Sequence, residues 1–232
     1  QSRYASRIPS LRGAVGDSRP RGAPAIMGTM MRIGLTGGIA AGKSTVSAFL
    51  KHKGAFLVDA DQLSREVVAP GTAGLRAVAA AFPGVLKADG SLDRKALGER
   101  VFSDEAARLR LNGLLHPLII EETKARLNGF FSADPGGVAV VDAALLLEAG
   151  MDGLCDEIWV VFSRDDVRLS RLMARDGLTK AQALARMRSQ TPQEETVRRA
   201  DRVIDDSGAP EKTLRQAEEA LFAFRARFCA RE

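Results

Sequence analysis

From Met31 onward, short apolar runs alternate with longer amphipathic stretches, the pattern of strands laid between helices. Residues 31–36 (MRIGLT) read as a short strand, and 37–42 as a glycine-rich turn. Over 43–52, Val46, Phe49 and Leu50 fall on one face at helical spacing, which predicts a helix. Residues 55–58 predict a second strand, ending at Asp59. A largely helical middle is expected from about 62 to 131, with Asp93 and Asp104 as N-caps. Within it, Pro117 reads as the first turn of a helix over 118–131, and DPGG at 134–137 as a turn. Residues 138–141 and 157–162 are rich in β-branched side chains and read as buried strands, with Trp159 as core. Helices are expected at about 165–176 and 180–189, a last strand at 202–204, and an amphipathic helix over about 210–228. Strands alternating with helices predict an α/β fold, a parallel sheet flanked by helices, with 62–131 as a helical insertion.

Composition narrows the class without changing the fold. With 232 residues, 45% hydrophobic and 27% charged, the chain has the make-up of a soluble globular protein with a real core. Its apolar runs are too short to span a bilayer, so no membrane role is expected. The formal charge of +5 hints at nucleic acid, but its location argues otherwise. Residues 1–30 hold Arg3, Arg7, Arg12, Arg19 and Arg21 against Asp17 alone, which leaves the rest of the chain nearly neutral. That segment reads as a disordered arginine-rich extension. It is either an upstream extension before a natural start at Met30 or Met31, which composition favours, or an organelle transit peptide. A cytoplasmic protein is the expectation. Cys155 and Cys229 stand far apart, and with only His52 and His116 as histidines neither a disulfide framework nor a zinc site is expected.

One motif carries the chemistry. GGIAAGKS over 37–44 matches G-x-x-x-x-G-K-[ST] between a predicted strand and a predicted helix. Its glycines let backbone N–H groups turn toward phosphate oxygens, and the following helix points its positive end at them. Gly38, Ile39, Ala40, Ala41, Gly42, Lys43, Ser44 and Thr45 are therefore the candidate ATP-phosphate contacts. Lys43 would reach the β- and γ-phosphates, and the Ser44 hydroxyl would meet Mg²⁺. Absence of an Asn-Lys-x-Asp sequence argues against a GTPase. A short chain with a helical insertion and an arginine-rich late helix points to a kinase with a mobile lid.

Further landmarks then appear in order: LTGGI at 35–39 running into Ser44 and Thr45; Asp59 and Asp61 with Arg65, then Pro70 and Gly71; DGSLDR at 89–94; LHP at 115–117; LLLE at 145–148; Arg171, then RDGL at 175–178; Gln190; and ADRVIDDSG at 200–208. With these, 31–228 resembles the dephospho-coenzyme A kinase family. The resemblance implies a P-loop kinase fold and phosphorylation of the ribose 3′-hydroxyl of dephospho-CoA with ATP and Mg²⁺. It implies a helical acceptor subdomain over about 62–131 and a helical lid over about 164–192. Asp61, just past the second strand, can take the acceptor's proton or position a Mg²⁺ water; as a residue alone it could equally cap the next helix. The role of Asp59 is open. Arg65, one turn on from Asp61, and Arg94 become acceptor contacts by resemblance, and otherwise solvated arginines. His116 becomes a pocket residue rather than an acid or base. Arg171 matches the lid arginine that offsets charge on the transferring phosphoryl group. Two departures stand out. Ala143 and Ala144 replace a stretch where the family usually has proline. Asp206 occupies a nucleotide-side position where asparagine is usual, and an ionised aspartate cannot donate to an adenine ring nitrogen. The competing readings are another P-loop metabolite kinase, or a nucleotide-binding regulator without transfer activity.

Overall fold

A computed structural model of the chain describes residues 30–229. The extension expected over 1–30 lies, Met30 apart, outside the described residues. Five strands, β1 (Met31–Gly37), β2 (Phe56–Asp59), β3 (Val138–Asp142), β4 (Glu157–Phe162) and β5 (Arg202–Asp205), form one parallel sheet in the order β2-β3-β1-β4-β5. Because every strand runs the same way, the loops that follow all of them open at one edge, where ligands of such sheets bind. Register fixes what meets there: Leu35 of β1 and Asp59 of β2 both stand opposite Asp142 of β3.

Alternation along the strands decides the two faces. Ile33, Leu35, Val140, Trp159 and Val161 point to one side, where Val46 and Leu50 of α1 (Lys43–His52) and Leu221 and Phe224 of α9 (Pro210–Cys229) cover them. Ala139, Val141, Ile158 and Val160 point to the other, under α2 (Ala60–Glu66) and α5 (Glu105–Ala133). Each fully buried large apolar side chain stabilises by roughly 1.5–3 kcal/mol. Trp159 is core, edge-on to Phe224. A separate cluster of Val68, Leu75, Val78, Phe82, Val85, Leu92 and Leu97 gives the insertion a core of its own, built on α3 (Ala73–Ala81), α4 (Arg94–Ser103) and the start of α5. The insertion is not wholly helical: Leu86 and Leu92 form an antiparallel bridge.

Asp93 and Asp104 cap α4 and α5, as the pattern predicts. The expected helix start at Pro117 is not observed, for α5 runs unbroken through it. Pro117 lacks the N–H that would meet the Gly113 carbonyl, but both residues are exposed, so the break in the ladder faces solvent. The helix halves are each anchored, Leu114 and Leu115 on the insertion core and Ile119, Leu127 and Phe131 on the sheet. Past β4 come α6 (Asp165–Asp176), α7 (Lys180–Arg188) and the short α8 (Gln193–Arg198), the last too brief to show periodicity in the sequence. Gly177, at φ 64°, closes α6 and lets the chain turn into α7.

At the opposite sheet edge, the buried Glu157 carboxylate accepts from Trp159 Nε1 (2.9 Å), Arg202 Nε (2.6 Å) and Arg227 Nη1 (2.7 Å). Removing it strands two guanidinium groups and an indole N–H. Glu157→Ala is expected to lower unfolding free energy by about 3–5 kcal/mol in denaturant titration, and a loss under about 1 kcal/mol would show the network to be dispensable.

Candidate active site

The loop after β1 is held from both sides. Ile39 donates its N–H to Gln190 Oε1 (2.7 Å), and its carbonyl accepts from Arg168 Nε (3.0 Å). Ala41 N–H closes a turn on the Gly38 carbonyl (3.0 Å). Between them Ala40 sits at φ 59°, a left-handed conformation that costs a side-chain-bearing residue about 1–2 kcal/mol. No side chain caps α1 and no acidic residue stands in its first turn. Its positive end therefore faces the loop without a protein anion on its terminal N–H groups, as an anion site requires. Ser44 and Thr45 are exposed in that turn.

Lys43 lies between two carboxylates. Its ammonium pairs with Asp142 and lies 3.7 Å from Asp61 Oδ2. Asp142 ends the apolar strand β3 and is buried, and burial pushes its carboxyl above the ordinary range, with Lys43 opposing. Asp61 differs, its side chain being 55% exposed. It is not the cap of α2: Asp59 fills that place, accepting from Gln62 N–H at 2.9 Å. The structure thus gives the open role of Asp59 to capping and leaves the Asp61 carboxylate free for chemistry beside Lys43.

On the other side of the loop, Asp206 is buried and fully engaged. Its carboxylate accepts from Thr213 Oγ1 (2.6 Å) and Arg171 Nη1 (2.7 Å), and its carbonyl from Arg171 Nη2 (3.0 Å). Each carboxylate oxygen thus has a partner, and the side chain holds Arg171 beside the loop. Gly42, at φ 95°, lies against that carboxylate, and a Cβ there would run into it. Gly42→Ala is expected to cost at least about 1–2 kcal/mol in backbone strain alone and to displace Asp206 from Arg171. Urea unfolding and nucleotide binding check this; wild-type values for both would refute the close approach.

Arg65 and Arg94 come together, Arg94 Nη2 lying 3.5 Å from the Arg65 carbonyl, and both line a cleft of about 680 Å³ in the insertion. His116 is half-buried in α5, where burial pushes its imidazole below the ordinary range, and it does not line that cleft. At the alanine departure, the Ala144 carbonyl accepts from Thr36 Oγ1 (3.1 Å), a bond that proline would also permit.

Two residues escaped sequence reading. Asp142 fell one residue past the strand expected over 138–141 and drew no reading, although an apolar run closing on aspartate was a usable signal. Arg168 was one arginine among many on α6, and its burial against Gly38 shows only in three dimensions.

Residues 31–211 match the family model described as dephospho-CoA kinase. The chain belongs to the dephospho-CoA kinase family. It is 49% identical over 185 residues to a dephospho-CoA kinase of Moorella thermoacetica, covering 79% of this chain and 87% of that one. With a dephospho-CoA kinase of Geobacter sulfurreducens it shares 48% over 188 residues, covering 81% and 95%. The crystal structure of a Thermus thermophilus protein, 32% identical, superposes with a TM-score of 0.72 over 84% of this chain and 97% of that one. The P-loop kinase fold expected from the family is the fold observed. Among the described residues, no helix is long and apolar enough to cross a membrane.

Proposed function

We propose that this chain phosphorylates the ribose 3′-hydroxyl of dephospho-CoA with ATP, giving coenzyme A and ADP, the last step of coenzyme A synthesis. Family membership supports the acceptor. One observation carries the chemistry: Lys43 stands between Asp142 and Asp61 at the open, uncapped start of α1.

ATP phosphates rest on the loop 38–45, and the Lys43 ammonium turns from Asp142 toward the β- and γ-phosphates. Asp61, exposed and beside Lys43, orients the 3′-hydroxyl or takes its proton. Asp206 serves the nucleotide side through its hold on Arg171 and its contact with Gly42. Arg171 then offsets charge on the transferring phosphoryl group. The donors at this edge are oxygens, the Ser44 hydroxyl and the Asp142 carboxylate. Among the described residues no group of three or more acidic, histidine or cysteine side chains is gathered to cage a metal. That set suits Mg²⁺, which takes one or two protein ligands and completes its shell with substrate oxygens and water. Bound there, Mg²⁺ supplies neutralising charge to the phosphates. The insertion over 62–131 forms the acceptor subdomain, with Arg65, Arg94 and His116 on that side, and 164–192 the lid. In this reading the enzyme is cytoplasmic, its partners are small molecules, and neither nucleic acid nor membrane takes part.

Product analysis tests the assignment. With MgATP and dephospho-CoA, mass spectrometry should show coenzyme A, and phosphorus NMR a new monoester at the 3′ position. A phosphate elsewhere, or no new ester, contradicts it.

A further inference from the structure

The tip of the phosphate loop is gripped by its backbone at one residue. Ile39 donates its N–H to Gln190 Oε1 (2.7 Å), and its carbonyl accepts from Arg168 Nε (3.0 Å). Both grips come from the proposed lid, Arg168 from its first helix and Gln190 from its end. The next residue, Ala40, holds φ 59°, a conformation that glycine adopts freely and alanine does not. A strained residue persists only where its surroundings over-determine it. Glycine stands at 38 and 42 but not at 40, so at Ala40 the neighbours, and not the residue type, fix the turn.

Arg168 is an expensive side chain to place there. It is 6% exposed, and its ion-pair partner Asp165 is 73% exposed. Burying a guanidinium costs free energy that an exposed carboxylate offsets only in part. Asp165 is in turn held by Gln193 Nε2 (3.2 Å), and the Gln193 amide also bonds the carbonyl and N–H of the buried Ser163 (3.0 and 3.4 Å). The guanidinium lies against Gly38, where an added Cβ would come within 2.6 Å of Nη2. On the other side, Gln190 is followed by Thr191, whose hydroxyl donates to Glu148 Oε1 (2.6 Å). Each grip is thus tied back to the chain that follows β4 or β3.

We infer that Arg168 and Gln190 are positioning residues for ATP: together they hold the Ile39 backbone so that Ala40 stays left-handed and the loop keeps the shape that turns its N–H groups toward the phosphates. This rests on the reading of 38–45 as the ATP site. Arg168 works through its Nε–H on a carbonyl, and not through its charge on a phosphate. A loop without its grips relaxes at Ala40, and ATP then binds only the fraction of chains still in shape, so affinity falls by that fraction. The bound complex, once formed, is unchanged, and kcat is spared.

Calorimetric titration with MgATP, which needs no acceptor, and steady-state kinetics on the full chain test this. The variants are Arg168→Met, Arg168→Gln and Gln190→Met, with both Met variants also combined with Ala40→Gly. Arg168→Met removes the donor and keeps an unbranched chain, whereas Arg168→Gln puts an amide nitrogen where Nε stands, without the charge. ATP affinity is expected to fall roughly five- to thirtyfold in Arg168→Met and in Gln190→Met. Their kcat should stay within about threefold of wild type, with KM for dephospho-CoA unchanged. Arg168→Gln should recover most of the loss, and so should Ala40→Gly in either Met background, because glycine removes the strain. Wild-type ATP affinity in both Met variants overturns the proposal. So does an equal loss in Arg168→Gln and Arg168→Met, which would make the charge the working feature. If thermal unfolding shows that Arg168→Met does not fold, Gln190→Met with and without Ala40→Gly decides: absence of rescue overturns the proposal. A wild-type chain that binds no MgATP overturns the ATP site and this inference with it. The expected pattern of ATP affinities without turnover of dephospho-CoA overturns the acceptor alone and leaves the positioning role standing.

Discussion

Replacing Lys43 with alanine is expected to lower kcat by on the order of 10²–10³-fold. Phosphoryl transfer leaves little covalent work for the protein, so catalysis lies in holding and neutralising charge as the group moves. In the proposed reaction that work falls to Lys43, which stands at the start of α1 between Asp142 and Asp61. Its loss has a structural side that can be separated from the chemistry. Burial already raises the Asp142 carboxyl above its unfolded value, and Lys43 is the main group opposing the rise, with the Ser47 hydroxyl beside it. Without Lys43 the rise grows. A carboxyl whose folded pKa exceeds its unfolded one binds more protons when folded, so stability falls as pH climbs through that interval. Thermal unfolding of Lys43→Ala should therefore show its largest deficit near neutrality and little in acid. Lys43→Ala/Asp142→Asn should recover stability without recovering turnover. Near-normal kcat in Lys43→Ala would remove the phosphate loop from the mechanism.

Asp61→Asn should lower kcat by roughly 10²–10⁴-fold, the usual contribution of a positioned acid or base, with KM for ATP within a few-fold. The substitution keeps size and shape, removes the charge and exchanges one acceptor oxygen for an NH2 donor. Asp61 does not cap α2, so no loss of helix stability is expected. Asp59→Ala supplies the contrast. It removes the acceptor of the Gln62 N–H bond and should cost about 1 kcal/mol of stability. If Asp61→Asn instead changed ATP affinity alone, the carboxylate would belong to nucleotide binding and not to the acceptor.

The phosphate loop was legible because its chemistry is local. The glycines, the lysine and the hydroxyl act through one turn and the helix behind it, and the flanking strand and helix carry clean periodicities. Strands β4 and β1 and helices α1 and α6 were legible for the same reason. What escaped depends on partners distant in sequence. Asp142 gains its role from a register that sets it beside Leu35 and Asp59. Arg171 meets Asp206, 35 residues away, and Gln190 meets Ile39, 151 residues away. Pro117 misled because its local preference for a helix start was outweighed by packing on both sides of it. Asp206 was readable as a departure from a family pattern. Its consequence was not, since that depends on Thr213 and Gly42 closing around the carboxylate.

ADP release with MgATP, comparing dephospho-CoA with adenosine, AMP, shikimate and no acceptor, tests the central claim most directly. The account predicts strong stimulation by dephospho-CoA alone. Equal rates across the acceptors, or stimulation by another of them and not by dephospho-CoA, would contradict it.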